Sequence, residues 1–166
     1  MKQYIFGYGS LINKESIFKT LSNRDTIEIY PVRVHNIKRG WYIPGTNNNM
    51  YLGVQLEQKS KCNGVIFEVN NEEIDLISAR EKYYDITVLP NKQIEFLESN
   101  NILNETDIVY IYIIDNINPK IIIDHVNYFI TKKYLNICIE GCININNKFS
   151  DEFFNTTYNW MYKIIE

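Results

Sequence analysis

A chain of 166 residues is long enough to bury a sizeable core without disulfide or metal staples, and residues 1–166 read as one domain. Seventeen Lys and Arg against twenty Asp and Glu give a formal net charge of −3, and 45% hydrophobic with 22% charged residues is an ordinary globular balance that excludes intrinsic disorder. Four arginines and an acidic pI near 5.5 argue against a nucleic-acid partner. No apolar run approaches the roughly 18 residues of a membrane-spanning helix, since the longest, 108–123, is cut by Asp115, Asn116, Pro119 and Lys120. No membrane partner is expected. Cys62, Cys138 and Cys142 form no Cys-x-x-Cys pair, and the start does not resemble a signal peptide, so reduced thiols and a cytoplasmic location are expected.

In chain order, residues 3–7 read as an opening strand. A Gly-rich turn follows and enters a helix or helical turn at Ser10, carried by Leu11, Ile12, Ile17, Phe18 and Leu21. Further strands are expected at 27–37 around Pro31, and at 51–56, 64–69, 86–89, 94–97 and 108–114, with Pro90-Asn91-Lys92 as a hairpin turn. Residues 71–83 predict a helix, with Asn71 as its cap and Glu72 and Glu73 favourably placed in its first turn. Two more helices are expected near 120–140 and at 150–164. Ser150 would cap the last, with Phe153, Thr157, Trp160, Met161 and Ile164 on one face. Cys138 and Cys142, at i and i+4, fit small core positions. The class is mixed: α+β.

Two features point to chemistry. In Phe6-Gly7-Tyr8-Gly9-Ser10-Leu11, two glycines and a serine directly after a strand let the backbone turn sharply and aim amides at one point, an arrangement that attracts anions. Alone this is also a common structural turn, and neither the dinucleotide fingerprint nor the P-loop is complete. The second feature is Glu81. At about 100° per residue, Ile74, Ile77, Ser78 and Glu81 share one stripe of the 71–83 helix, so a carboxylate completes an apolar face. Glu73, Asp75, Arg80 and Lys82 fall on the flanks, and Leu76 and Tyr83 on the reverse side of a helix expected to be buried on two surfaces. Burial and the negative end of the helix dipole should raise the Glu81 pKa, against opposition from a solvated Arg80 and Lys82. The alternative is a glutamate at a helix end that pairs with a cation or faces water. His35 and His125 have no partners at ligand spacing, so neither a metal site nor a Cys-His nucleophile is suggested. Trp41, Trp160 and the tyrosines read as core and pocket lining.

Together these features resemble the gamma-glutamylcyclotransferase-like superfamily. Tyr4-Ile5-Phe6-Gly7-Tyr8-Gly9-Ser10-Leu11-Ile12 is similar to its opening strand and Tyr-Gly-Ser-Leu turn, and Ile77-Ser78-Ala79-Arg80-Glu81-Lys82-Tyr83-Tyr84 to its Leu-Asp-x-Arg-Glu-x-x-Tyr segment. Val32-Arg33-Val34 to Arg39-Gly40-Trp41, Tyr51-Leu52-Gly53-Val54 and Asn63-Gly64-Val65-Ile66-Phe67 look like the connecting strands, and residues 149–160 look like a tail of some bacterial members. The resemblance implies a small, mostly closed mixed sheet or barrel with packed helices. It implies an enzyme that cyclises a gamma-glutamyl amide to 5-oxoproline and releases an amine, without metal or organic cofactor. Glu81 takes the place of the catalytic acid and base, while Tyr8, Gly9, Ser10, Leu11 and Tyr84 take substrate-binding positions. Ser78 stands where the family usually has Asp.

Two other readings share this fold. A non-catalytic module would keep the anion turn and bind a small acid, and the Ser78 departure favours it. A pathway enzyme would remove a gamma-glutamyl protecting group from a larger amine through an open pocket mouth, expected from 39–49 and 99–107. Neither the leaving amine nor the oligomeric state is legible in the sequence.

Overall fold

The computed structural model describes residues 1–114 and 126–166. His125 and residues 120–125 of the expected 120–140 helix lie outside the described residues; the rest of that expectation is displaced, since 129–131 form a strand and the helix runs over Lys132–Ile145. The described part holds nine strands and four α-helices, which are the α+β class expected.

Strand β1 (Gln3–Gly7) runs antiparallel to β3 (Met50–Val69) and parallel to β6 (Ile108–Ile113). β2 (Tyr30–Pro44) pairs antiparallel with β3, and the edges are β4 (Asp85–Leu89) beside β6 and β5 (Ile94–Phe96) beside β2, giving the order β4-β6-β1-β3-β2-β5. The hairpin expected at Pro90 is therefore absent, because β4 and β5 occupy opposite edges. Five residue steps join Leu89 to Ile94, at most about 18 Å of chain, whereas six strands laid flat would separate their edges by about 24 Å. The sheet must curl, and it forms a half-barrel.

The β2–β3 ribbon supplies much of that curl. Residues 51–56 and 64–69 are parts of one strand, because Lys61, Cys62 and Asn63 between them continue the pairing with β2. A wide bulge interrupts the ladder where the partner changes from Lys61 to Leu56. Asn36 (φ 65°) and Lys59 (φ 69°) take left-handed conformations there, so the ribbon bends. Beyond the bend Val54 accepts a hydrogen bond from the Ile114 amide (3.1 Å), just past β6.

Helix α1 (Lys14–Thr20) follows the turn after β1. Helix α2 (Asn71–Arg80) ends three residues short of the expected 71–83 and is capped by Asn70 instead of Asn71, because Asn70 and Glu73 form a reciprocal cap: Asn70 Oδ1 accepts from the Glu73 amide (2.9 Å) and Glu73 Oε1 from the Asn70 amide (3.0 Å). Leu76 and Tyr83 are exposed, so α2 buries one face and not two. Helix α3 (Lys132–Ile145) buries Leu135, Cys138 and Cys142 in the core. At Gly141 a Cβ would stand 2.8 Å from the Asn13 amide nitrogen, so the missing side chain lets α3 press on the turn after β1.

The expected 150–164 helix is displaced. Helix α4 (Asn147–Asn155) is capped by Asn146, and Ser150 is buried inside it. Its end is set by Thr156 and Thr157, whose hydroxyls donate back to the Glu152 and Phe153 carbonyls (2.6 and 2.5 Å), and by Asn159 at φ 64°. The chain then forms β8 (Thr157–Tyr158) beside β2 and β9 (Lys163–Ile165) beside β7 (Phe129–Thr131). No helix among the described residues is long and apolar enough to cross a membrane.

Since the α2 cap rests on Asn70, Asn70→Ala is expected to cost about 1 kcal/mol and lower the urea midpoint, while Asn71→Ala leaves it near wild type.

Candidate functional site

A cavity of about 390 Å³, within the range of small-molecule sites, opens at the end of β1. Tyr8, Gly9, Ser10, Leu11, Glu81 and Tyr84 all line it, joined by Arg80, Tyr51 and Leu52 of β3, Tyr112 of β6 and Tyr134 of α3. β1 ends at Gly7, and a single helical turn (Ser10–Ile12) follows, whose first bonds are Ile12 N–H to the Gly9 carbonyl (3.0 Å) and Asn13 N–H to the Ser10 carbonyl (3.1 Å). The Ser10 and Leu11 amides precede these bonds and have no partner within the turn. A Cβ at Gly9 would stand 3.0 Å from the Tyr134 hydroxyl, so glycine lets α3 close over the turn.

Ser10 does not cap a helix. Asn13 caps α1 by accepting from the Glu15 amide (2.9 Å), and its own amide group donates to the Ile137 carbonyl of α3 (2.9 Å). The Ser10 hydroxyl instead accepts from Arg80 Nη2 (2.7 Å). Arg80 is thus a clamp between α2 and the turn. It also donates to Ser16 Oγ (2.9 Å), the Ser16 carbonyl (2.9 Å) and Thr20 Oγ1 (3.1 Å), and its Nε stands 3.5 Å from Glu81 Oε1. The solvated flank expected of it is not what the structure shows. Glu73, its expected flank partner, pairs with Arg24 (3.0 Å).

Glu81 occupies the C-terminal cap position of α2, and its side chain is 17% exposed. Burial pushes its pKa above the ordinary value, and the adjacent Arg80 opposes that rise in part. Phenols surround it. Tyr84 donates to the Leu52 carbonyl (2.6 Å) and Tyr8 to the Tyr112 carbonyl (2.7 Å), while the Tyr112 hydroxyl meets Ser78 Oγ at 2.7 Å. Burial first, then neighbouring ionisable groups that include Glu81, pushes the Tyr8 and Tyr84 phenols well above their usual range, so both remain neutral donors.

The expected mouth is corrected. Of 39–49 Thr46 lines the cavity, whereas none of 99–107 does. Asp107 stands at the other end of β1, accepting from the Lys2 amide (2.8 Å) and the Asn104 amide (2.9 Å). His35 pairs with Glu95 (3.0 Å) on the outer edge of β2. Among the described residues no three His, Cys, Asp or Glu side chains are grouped to hold a metal ion. Sequence reasoning missed Arg80 and the individual tyrosines 51, 112 and 134. Arg80 carried a signal in standing next to Glu81, but its serine and threonine acceptors are brought together by the fold.

The curled mixed sheet with its cavity at the end of β1 is the gamma-glutamylcyclotransferase-like fold. The chain is similar to the solved structure of a gamma-glutamyl cyclotransferase (TM-score 0.67, 12% identity, covering 100% of this chain and 95% of that one). It is similar also to an uncharacterized protein from Homo sapiens (0.65, 11%, 99% and 94%) and to YkqA from Bacillus subtilis (0.69, 11%, 98% of this chain but 56% of that one). Identities this low establish the fold alone. No protein-family model and no curated protein matches the sequence.

All three cysteines are free, buried thiols, and burial pushes Cys62 up to about 11, Cys142 to about 12 and Cys138 higher still. Iodoacetamide is therefore expected to leave all three unmodified in the native protein and to modify all three in urea, as read by intact mass. Any catalytic activity should survive the native treatment.

Proposed function

We propose that this protein cyclises the gamma-glutamyl group of a small gamma-glutamyl amide to 5-oxoproline and releases the amine. The observation that carries this reading is the meeting, in one cavity, of the Tyr8–Leu11 turn with the largely but not wholly buried carboxyl of Glu81. The turn's free amides take the substrate alpha-carboxylate. Glu81, ionised, accepts a proton from the alpha-ammonium, and the freed amine nitrogen attacks the gamma-carbonyl carbon to close a five-membered ring. As the old amide C–N bond breaks, Glu81 returns that proton to the departing amine nitrogen, and the second proton that the attacking nitrogen sheds on becoming the lactam N–H passes to the same nitrogen, so that the amine leaves as an ammonium ion. No atom is left over, and no redox partner enters.

Both reacting groups belong to one molecule, so holding it folded back supplies much of the acceleration; effective molarities in favourable intramolecular cases reach about 10⁵ M or more. Tyr8, Tyr84 and Tyr134 keep water away from the reacting atoms. A raised pKa suits a group that must take and return a proton near neutrality. A screen of gamma-glutamyl amides for 5-oxoproline tests the reaction and identifies the amine. Binding of such amides with no 5-oxoproline formed would mean that the protein is the small-acid binding module instead.

Glu81→Gln keeps the shape of the side chain and removes its proton transfer, so kcat should fall by about 10²–10⁴. Because the base must be ionised, wild-type kcat/KM should decline as pH falls through the raised Glu81 pKa, giving an acid limb above the ordinary glutamate value of about 4.3. The stability effect has the opposite sense. A raised folded-state pKa means that ionisation of Glu81 lowers stability as pH rises from the ordinary carboxylate value through the raised one. The Gln variant escapes this loss, so its melting temperature at pH 7 should equal or exceed that of wild type.

A further inference from the structure

Arg24, Arg33 and Arg80 each pair with a glutamate, but among the described residues Arg39 pairs with no carboxylate. It is fully buried. Neutral oxygens satisfy its guanidinium: Nε donates to Thr157 Oγ1 (2.8 Å), Nη1 to the Tyr8 and Asn63 carbonyls (3.0 and 2.5 Å), and Nη2 to Asn63 Oδ1 (2.9 Å), the Phe153 carbonyl (3.1 Å) and Thr156 Oγ1 (2.9 Å). The Phe153 ring centroid lies 4.3 Å from its Cζ. Taking a guanidinium out of water without a counter-charge is costly even when every N–H is bonded. The neighbouring positions Ile37 and Trp41 fill the same interior without charge. A positive charge kept at such a cost should act on something within reach.

The turn is within reach. The Tyr8 carbonyl accepts from Arg39, and in a planar trans peptide the next amide N–H points the opposite way. That amide belongs to Gly9, which lines the cavity, whereas Arg39 does not. One hydrogen bond from behind therefore sets the direction of the Gly9 N–H. The same bond polarises the peptide, since a carbonyl that accepts from a cation makes its own amide a stronger donor. The charge acts also through space, in an interior where water screens it poorly.

We propose that Arg39 is a positioning residue for anion binding: it aims and polarises the Tyr8–Gly9 peptide so that the Gly9 amide receives a ligand carboxylate. The proposal rests on the cyclotransferase reading for the identity of that ligand alone. Glutarate is a suitable probe, having the carbon chain and carboxylates of a glutamyl group without the amine. In the wild-type protein, titration with glutarate should shift the Gly9 amide proton downfield in ¹H–¹⁵N spectra. Arg39→Met should weaken glutarate binding at least about tenfold, in keeping with the loss of a charged hydrogen-bond donor. Arg39→Lys keeps the charge but cannot hold the same acceptors, and its affinity should lie between the two. In turnover KM should rise while kcat stays near wild type, a split that loss of stability alone would not produce.

A wild-type Gly9 resonance that does not respond to bound glutarate overturns the proposal. So does a folded Arg39→Met with wild-type affinity, or a wild-type protein that does not bind glutarate. Should Arg39→Met fail to fold, the wild-type Gly9 shift and the Arg39→Lys affinity decide. Glutarate binding that depends on Arg39, in a protein that forms no 5-oxoproline, would overturn the reaction and sustain the role of Arg39.

Discussion

The buried guanidinium of Arg39 is the constraint around which the rest is arranged. From β2 it reaches the turn after β1, the middle of β3, the end of α4 and the start of β8. Through these bonds the C-terminal residues act as part of the support beneath the cavity. Thr156 and Thr157 serve twice, accepting from Arg39 and donating to carbonyls of the last turn of α4. Asn63 has a similar double use, receiving Arg39 while its amide donates to the Phe149 carbonyl (2.8 Å). A cation in an apolar interior requires a complete set of acceptors, and the helix end, the threonines and the asparagine are what completes it.

The cavity follows from the curl of the sheet. A flat sheet would leave the end of β1 open to water. The bend in the β2–β3 ribbon brings Tyr51 and Leu52 round to face α2, and α3 closes the space with Tyr134. Tyrosine suits these walls because a phenol fills apolar space with its ring and can return its hydroxyl to a backbone carbonyl or a neighbouring hydroxyl, as Tyr8, Tyr84 and Tyr112 do. The tyrosine network adds to the ladders: Tyr8, just past β1, binds the Tyr112 carbonyl of the neighbouring β6, and Tyr84, just before β4, binds the Leu52 carbonyl of β3, a strand with which β4 forms no ladder.

Much of this was legible in the sequence, and what was not has physical reasons. β1 and β6 are short apolar runs bounded by turn residues, and their pattern survives any context. The Tyr8–Leu11 turn and Glu81 stood out because glycines after a strand, and a carboxylate on an apolar stripe, are local anomalies. The polar residues 57–61 hid the continuity of β3, since a stretch whose side chains are largely open to water carries no apolar alternation. Pro90 marked a turn correctly, but turn chemistry does not say which strands the turn connects, and the curl of the sheet decides that. Residues 156–164 keep a helical spacing of apolar residues that backbone capping by two threonine hydroxyls overrides. Arg39 carried a signal that was passed over, for it alternates with Ile37 and Trp41 in a strand and so belongs to their inward face.

The position of β1 has a consequence for biosynthesis. β1, made before the other strands of its sheet, sits between β3 and β6, and its ladder is completed only by much later partners; Lys2 and Asp107 are 105 residues apart. Arg39 waits longer still, because its bond to Thr157 spans 118 residues. Contacts so distant in sequence form slowly, since a long loop must be closed before they stabilise anything. The nascent chain therefore carries its pocket-forming turn unassembled until α4 and β8 have been made, and a ribosome stalled before α4 would hold a polypeptide with an unsatisfied cation in its unfinished core.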